Sequence, residues 1–135
     1  MTRLQLTFLA LVVAQAAHSL EEYAGRLYDV FLPARFVSGL FSPDLQRGFV
    51  IFNLALVAFG VWCFLWPILR GWRVALPLAW LWVGIELVNG IGHPLWSIRE
   101  QAYTPGVATA PFLLSLALYL AAQLRTTDAP GRAAT

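Results

Sequence analysis

A histidine and two adjacent carboxylates stand near the end of the first apolar stretch of the chain, in the segment Ala17 to Glu22. Residues three and four positions apart lie on one face of an α-helix, so His18, Glu21 and Glu22 can bring nitrogen and oxygen atoms together within one turn. Gln15 extends this face by one turn. Ionisable groups inside an apolar run are costly unless they have a function. The segment therefore predicts one wall of a site.

A second set of polar residues occurs in the third apolar stretch. Glu86, Asn89 and His93 follow the spacing i, i+3 and i+7, which lines one face of a helix over two turns. The second apolar stretch contributes Asn53. A carboxyl group in the middle of an apolar run is costly as a purely structural group, so Glu86 is a strong candidate for a functional residue.

Depth along the helices indicates whether these groups can meet. At 1.5 Å per residue from the start of each run, His18 lies at roughly 21 Å, Glu86 at roughly 18 Å and Asn89 at roughly 22 Å. His93 lies at roughly 28 Å, and Asn53, which is counted from the opposite side, lies at roughly 24 Å in a core about 30 Å thick. Five residues on three helices therefore fall in one layer, in the half of the bilayer away from the termini.

The layer has the ligand types of a divalent metal centre. Imidazole nitrogens and carboxylate oxygens bind zinc, iron or manganese, and a cation would compensate buried carboxylates. We therefore predict a metal-dependent membrane enzyme that acts on a lipid-soluble small molecule. The predicted metal ligands are His18, Glu21, Glu22, Glu86 and His93; Glu22 and Glu86 are also the predicted catalytic groups, and Asn53, Asn89, Tyr103 and Gln15 are predicted to bind substrate.

Other functions use the same residues differently. Without a metal, a carboxyl group and a neighbouring base could isomerise or cyclise a sterol-like or terpenoid substrate. A small ion or proton transporter is a further alternative. It is disfavoured because the halves of the runs nearer the termini have few polar side chains beyond Gln5 and Thr7. A purely structural or partner-binding protein would leave Glu86 unexplained.

The elements that must position these residues are transmembrane helices. The chain of 135 residues is 59% apolar and 12% charged, and its mean hydropathy is +0.68. Four runs reach about the twenty residues that cross a bilayer. Short connections make neighbouring helices antiparallel, so we predict an all-α, four-helix transmembrane bundle as one domain over residues 1–125. The runs are Leu4 to Tyr23, Phe49 to Leu69, Val74 to Ile98 and Val107 to Leu124, followed by a flexible tail at 126–135.

The connection between the first two runs, residues 24–48, is too long for a bare loop. Its apolar residues have partly helical spacing, interrupted by Pro33, Gly39 and Pro43, which predicts one or two short helices in the membrane interface, over the site. In the third run, Pro94 is expected to kink or end the helix.

Nine arginines stand against seven acidic residues, with no lysine, and they gather near the ends of the runs. They indicate interfacial anchors rather than a nucleic-acid surface. Five arginines on the side of the termini against four on the other favour both termini in the cytoplasm of an inner membrane. The expected partners are membrane lipids and the small-molecule substrate, and a homodimer is left open.

The start of the chain also has the pattern of a cleaved signal peptide, but cleavage would remove the helix that carries His18. The single cysteine, Cys63, is expected to be buried.

The segment His18-Ser19-Leu20-Glu21-Glu22 resembles the signature of the HXXEE family of small, mostly bacterial membrane proteins. A second block is similar as well: Asn89 shortly before His93, then Tyr103-Thr104-Pro105-Gly106 with a threonine nearby. The resemblance implies that these are characteristic positions, and it implies no activity because the function of the family is unassigned. In the second block, Pro105 is expected in the first turn of the fourth helix, with Tyr103 directed toward the polar layer.

Overall fold

The computed structural model describes residues 1–128, and all regular structure in that range is helical. The helices are α1 (Arg3–Ala24), α2 (Leu27–Val30), α3 (Leu32–Phe41), α4 (Leu45–Cys63), α5 (Ala75–Glu100) and α6 (Ala110–Asp128). A π-helical turn, Phe64–Ile68, continues α4. The predicted all-α class is confirmed. The predicted tail at 126–135 begins within α6, and its residues 129–135 lie outside the described part of the chain.

Three helices within residues 1–128 are long and apolar enough to cross a membrane: α1, α4 with its π-helical turn, and α5. The fourth predicted span corresponds to α6, whose apolar part, Ala110–Thr126, is shorter. Helix α5 packs along α6, α6 packs against α1, and α1 packs against α4. The three long helices support an association with the membrane, whereas the four-helix transmembrane bundle stays a prediction.

An apolar core occupies the part of the molecule nearest the termini. Phe8 and Leu11 of α1, Trp82 of α5 and Leu120 of α6 are fully buried in it. Gly60 of α4 makes room for the indole, because a Cβ there would lie 2.8 Å from the Trp82 ring. Between helices in lipid, such contacts stabilise through close packing rather than through exclusion of water. This core fixes the relative depth of α1 and α5, and thereby the level of the polar residues beyond it.

Two prolines lie inside helices. Pro67 falls in the π-helical turn at the end of α4, where the missing backbone N–H removes one α-helical hydrogen bond. Pro94 was expected to kink or end its helix, and of these two outcomes the structure excludes the end, because α5 continues to Glu100. His93, the residue before Pro94, therefore lies within regular helix.

The connection between α1 and α4 forms the predicted short helices, α2 and α3. Helix α3 packs on the start of α4, where Gly48 lies directly under the carbonyl of Ser38: a Cβ at Gly48 would lie 2.0 Å from that oxygen. Ser38 is almost completely buried, whereas Leu32, Phe36 and Leu40 point outward from α3 and are at least two-thirds exposed. The inner face of α3, which includes Ser38, therefore packs against α4.

Candidate functional site

Three predicted ligands converge between α1 and α5. Nε2 of His18 lies 3.3 Å from Oε1 of Glu22, and Nε2 of His93 lies 3.1 Å from the same oxygen. The two imidazole rings meet edge to face, with centroids 4.7 Å apart. All three side chains are buried, and one ligand atom from each lies within 4.8 Å of the others. His18, Glu22 and His93 form what we call the His/Glu cluster.

The backbone of Gly106 closes one side of the His/Glu cluster. Its φ is +92°, a conformation that glycine adopts readily and other residues do not. A Cβ at this position would lie 2.6 Å from Cε1 and Nδ1 of His93 and 2.9 Å from Cε1 of His18. Only a residue without a side chain lets the turn after α5 contact both rings.

Glu21 does not point into the His/Glu cluster, although it was predicted as a metal ligand. Its carboxylate accepts hydrogen bonds from Tyr103 Oη, from the backbone N–H groups of Ala108 (3.0 Å) and Thr109 (2.9 Å), and from Thr109 Oγ1 (2.5 Å). Adjacent residues of a helix do not share a face, so Glu21 and Glu22 diverge. Glu21 therefore holds the turn that precedes α6.

The same turn differs from expectation at Pro105. The proline was predicted in the first turn of the fourth helix, but α6 begins only at Ala110, with Pro111 in its first turn. Residues 105–109 form a turn whose free N–H groups are bound by Glu21. Pro105 packs instead against Gly25 at the end of α1, where a Cβ would lie 2.6 Å from the proline ring.

Thr109 connects Glu21 to His18. Oγ1 of Thr109 lies 2.7 Å from Nδ1 of His18. Because the Glu21 carboxylate only accepts, the single hydroxyl proton of Thr109 is donated to Glu21, and Nδ1 of His18 must then donate to Thr109. The hydrogen-bond chain therefore fixes the ring orientation of His18 and leaves Nε2 to face Glu22. The sequence resemblance includes this threonine near the Tyr103-Thr104-Pro105-Gly106 segment but does not place it in the site, because only the tertiary fold brings Thr109 to α1.

Nε2 of His18 has no hydrogen-bond partner among the described residues, although the Glu22 oxygen lies beside it. In the neutral ring with a proton on Nδ1, Nε2 carries a lone pair. A lone pair and a carboxylate oxygen repel each other in a buried environment unless a cation or a proton lies between them. Either a bound cation or a proton on Nε2 would remove this repulsion.

Two separations within the cluster are similar to those between neighbouring ligands of a metal. Neighbouring ligand atoms around a tetrahedral zinc ion lie about 3.3 to 3.4 Å apart when the metal–ligand bonds are about 2.0 to 2.1 Å. The observed separations from Glu22 to the two histidines are 3.3 and 3.1 Å. A histidine ligand whose other nitrogen donates a hydrogen bond is the usual arrangement at metal centres, and His18 has it through Thr109.

Glu86 is fully buried but lies outside the His/Glu cluster. Nδ2 of Asn89 donates to it at 3.3 Å. The Gln15 amide faces it as well: with its nitrogen toward the carboxylate, it donates to both Glu86 oxygens at 2.9 and 3.1 Å. This orientation is the favourable one, because a carboxylate only accepts. Glu86 was predicted as a ligand and a catalytic group, and the structure places it behind two amides.

These contacts continue across α1 to α4. Ser19 Oγ lies 3.0 Å from the Gln15 amide oxygen in this orientation and 2.7 Å from Oδ1 of Asn53, so its single hydroxyl proton is shared between these two acceptors. Nδ2 of Asn53 in turn donates to the carbonyl of Phe49 at 3.0 Å. Ser19 was not among the predicted site residues, although its position four residues after Gln15 places it on the same face. Gln15, Ser19, Asn53, Glu86 and Asn89 form what we call the amide network.

A cavity of about 180 Å³ lies between the His/Glu cluster, the amide network and the covering helices. Five polar or ionisable residues form one wall of the cavity: Gln15, Glu22, Asn53, Asn89 and His93. Side chains of α2 and α3 provide the apolar cover: Leu27, Phe31, Pro33, Ala34 and Val37. The cavity therefore places predicted ligands and predicted substrate-binding residues around one space.

Tyr103 lies apart from this cavity. Its ring is 67% exposed and its hydroxyl donates to Glu21. The hydrogen bond to Glu21 and partial burial raise the pKa of Tyr103 above its usual value. Tyr103 was predicted to bind substrate, and the structure places it on the outside of the turn that holds His18.

The comparisons with known proteins identify the family but not an activity. A family model described as "Protein of unknown function with HXXEE motif" matches residues 9–120, so the chain belongs to this family. The motif occurs here as His18 to Glu22. No curated protein and no solved structure gives a significant match.

Proposed function

We propose that this HXXEE-family protein is a membrane-embedded, metal-dependent enzyme that acts on a lipid-soluble small molecule in the cavity between α1, α4 and α5. The proposed metal ligands are His18, Glu22 and His93. The proposal keeps three of the five ligands expected from the sequence and gives Glu21 and Glu86 other roles. It also retains the expected orientation, with both termini in the cytoplasm of an inner membrane.

One observation carries the proposal. The chain from Glu21 through Thr109 leaves Nε2 of His18 facing a Glu22 oxygen 3.3 Å away, with both groups buried. Two acceptors at this distance call for a positive charge between them. A second imidazole, His93, lies 3.1 Å from the same oxygen, and two imidazoles with one carboxylate are a common ligand set of zinc and non-haem iron enzymes.

A bound metal would supply a Lewis acid, or a water molecule acidic enough to act at neutral pH. The chain's own residues would place the substrate beside it. Asn53 and Asn89 line the cavity next to Glu22 and His93, and each has an amide that can bind a substrate hydroxyl or carbonyl. Glu86 does not line the cavity; we assign it as a positioning residue that orients the Gln15 and Asn89 amides.

Elemental analysis tests the proposal. The protein is expressed without a polyhistidine tag, purified in detergent and analysed by mass spectrometry for zinc, iron and manganese, together with His18→Ala, His93→Ala and Glu22→Gln. We expect about one metal ion per chain in the unmodified protein and a loss of at least tenfold in each variant. Glu100→Gln is the matched control for charge, because Glu100 is an exposed carboxylate at the end of α5. The Glu100→Gln protein should retain the metal.

The unmodified protein must also be tested after dialysis against each metal, since ions can be lost in purification. A folded protein that contains no metal and takes up none would refute the metal-dependent function. Retention of metal by both histidine variants would refute the assigned ligands.

A metal-free acid–base isomerase is the second candidate. It is supported by the 3.1 Å separation between Nε2 of His93 and Glu22, which is a hydrogen-bond length, so that a proton could take the place of the cation there. The same measurements distinguish the two functions: the isomerase predicts no bound metal, and an activity that chelators do not affect.

A further inference from the structure

A second space lies beside the cavity, on the surface between α1 and α4. It is a groove of about 450 Å³, and most of its lining is apolar. Its floor and walls come from Ala16, Leu20 and Tyr23 of α1 and from Val50, Leu54 and Val57 of α4. Leu20 and Leu54 are each about two-thirds exposed, so the groove opens sideways from the helices rather than toward their ends.

The groove and the cavity share two residues. Phe49 and Asn53 line both spaces, and Ser19 lies in the wall of the groove beside them. Asn53 is nine-tenths buried and connects through Ser19 and Gln15 to Glu86. The apolar groove therefore ends at an amide whose other side faces the His/Glu cluster.

The charges around the two spaces restrict what can occupy them. Within residues 1–128, the lining of both spaces includes no arginine, and lysine is absent from the sequence. The cavity contains the Glu22 carboxylate, and that of Glu86 lies behind its amide wall. An anionic head group would meet no arginine or lysine in either lining, and the charge of a divalent cation held by Glu22 would be largely offset by the Glu22 and Glu86 carboxylates, so a buried anion is unfavourable.

We infer that the substrate is an uncharged amphiphile, a long-chain or isoprenoid alcohol, aldehyde or ketone, that enters from the bilayer between α1 and α4. Its hydrocarbon chain lies in the groove, and its oxygen passes Asn53 into the cavity. Asn53 has one amide hydrogen left after its bond to Phe49, and at least one oxygen lone pair left beside Ser19, which suits a single hydroxyl or carbonyl group. That this amphiphile is a substrate rests on the proposed function, whereas its binding in the groove and cavity does not.

Photolabelling tests the inference. Three probes carry the same long hydrocarbon chain and the same diazirine, and differ only in the head group: an alcohol, a carboxylate and a phosphate. They are added to the protein in phosphatidylcholine vesicles, and labelled positions are found by mass spectrometry. We expect the alcohol probe to label α4 between Val50 and Val57 at least tenfold more than either anionic probe, and unlabelled long-chain alcohol to compete.

Matched variants locate the chain of the probe. Ala16→Phe fills the groove, and it should lower labelling by the alcohol about tenfold. Ala17→Phe is the control, because Ala17 is the next residue on α1, is exposed and does not line the groove. A fourth probe, an alkane with the same chain and diazirine but no head group, tests the role of Asn53. Asn53→Leu should lower the preference for the alcohol probe over this alkane probe, whereas the total labelling of the groove should persist.

Three results would overturn the inference: equal labelling by the phosphate probe, labelling spread over other exposed faces, and no effect of Ala16→Phe. Metal content is measured on the same samples. A protein that lacks metal but shows the expected labelling would refute the metal-dependent function and leave the substrate class standing. A protein that binds metal but is labelled equally by all probes would refute the substrate class and leave the metal-dependent function standing.

Discussion

Substitution of Gly106 by alanine tests the arrangement of the two histidines directly. The new methyl group would lie 2.6 Å from two atoms of the His93 ring and 2.9 Å from Cε1 of His18. Distances below 3.0 Å require the rings or the turn to move. The substitution therefore perturbs the His/Glu cluster without removing any ligand.

The expected cost has two parts. Placing a side chain on a residue with φ +92° costs about 1–2 kcal/mol. Overpacking against two buried rings costs about 1–3 kcal/mol. We therefore expect Gly106→Ala to lower the free energy of unfolding by about 2–5 kcal/mol. Because metal ligands must keep their positions within a few tenths of an ångström, we also expect about a 10- to 100-fold weaker affinity for metal.

The assay is unfolding in mixed micelles with increasing denaturing detergent, followed by circular dichroism, together with metal titration of the folded protein. Gly84→Ala is the matched control: Gly84 lies in α5, and a Cβ there meets nothing within 4 Å. Alanine in a helix is more favourable than glycine by about 0.5–1 kcal/mol, so the control should be as stable as the unmodified protein or more so. Unchanged stability and metal affinity in Gly106→Ala would refute the close packing of the turn against the rings.

Three further experiments test the surroundings of the site. Thr109→Val removes the partner of Nδ1 of His18 and should weaken metal binding about 10- to 100-fold in the same titration, whereas an unchanged affinity would mean that the ring is oriented by packing alone. The hydrogen bond from Tyr103 to Glu21 raises the pKa of the phenol, so its stabilising effect should be present below pH 10 and be lost as the pH rises through the raised pKa. An ultraviolet difference titration compared with that of Tyr103→Phe should show this ionisation at higher pH than that of an exposed tyrosine, and Glu21→Gln should return it toward 10. Gly48→Ala would place a methyl group 2.0 Å from a carbonyl oxygen of α3, and proteolysis of α3 should then become faster than in the unmodified protein.

The level of the site along the helices could be predicted from the sequence because an α-helix rises by a constant distance per residue. Counting along three apolar runs placed His18, Asn53, Asn89 and His93 in one layer. The structure brings His18 to His93, and it places Asn53 and Asn89 in the wall of the cavity that His93 also lines. The prediction of short helices between α1 and α4 also follows from local spacing, and it is confirmed by α2 and α3.

The direction of each side chain could not be predicted in the same way. Glu21 and Glu22 are adjacent, and the sequence treated both as ligands. Which of them faces α5 depends on how α1 is rotated against its neighbours, and the packing of Phe8 and Leu11 against the core helps to set that rotation. In the structure Glu22 joins the histidines and Glu21 binds the turn before α6.

The sequence by itself determined that polar and ionisable groups share one level among apolar helices, because composition and helical rise are local properties. Only the tertiary structure decided which of these groups touch. Gly106 and Thr109 lie more than eighty residues from His18, and they reach it because the turn after α5 folds back over α1. Contacts between distant segments depend on how whole helices pack, and that packing decides that His18, Glu22 and His93 form one cluster while Glu86 lies behind two amides.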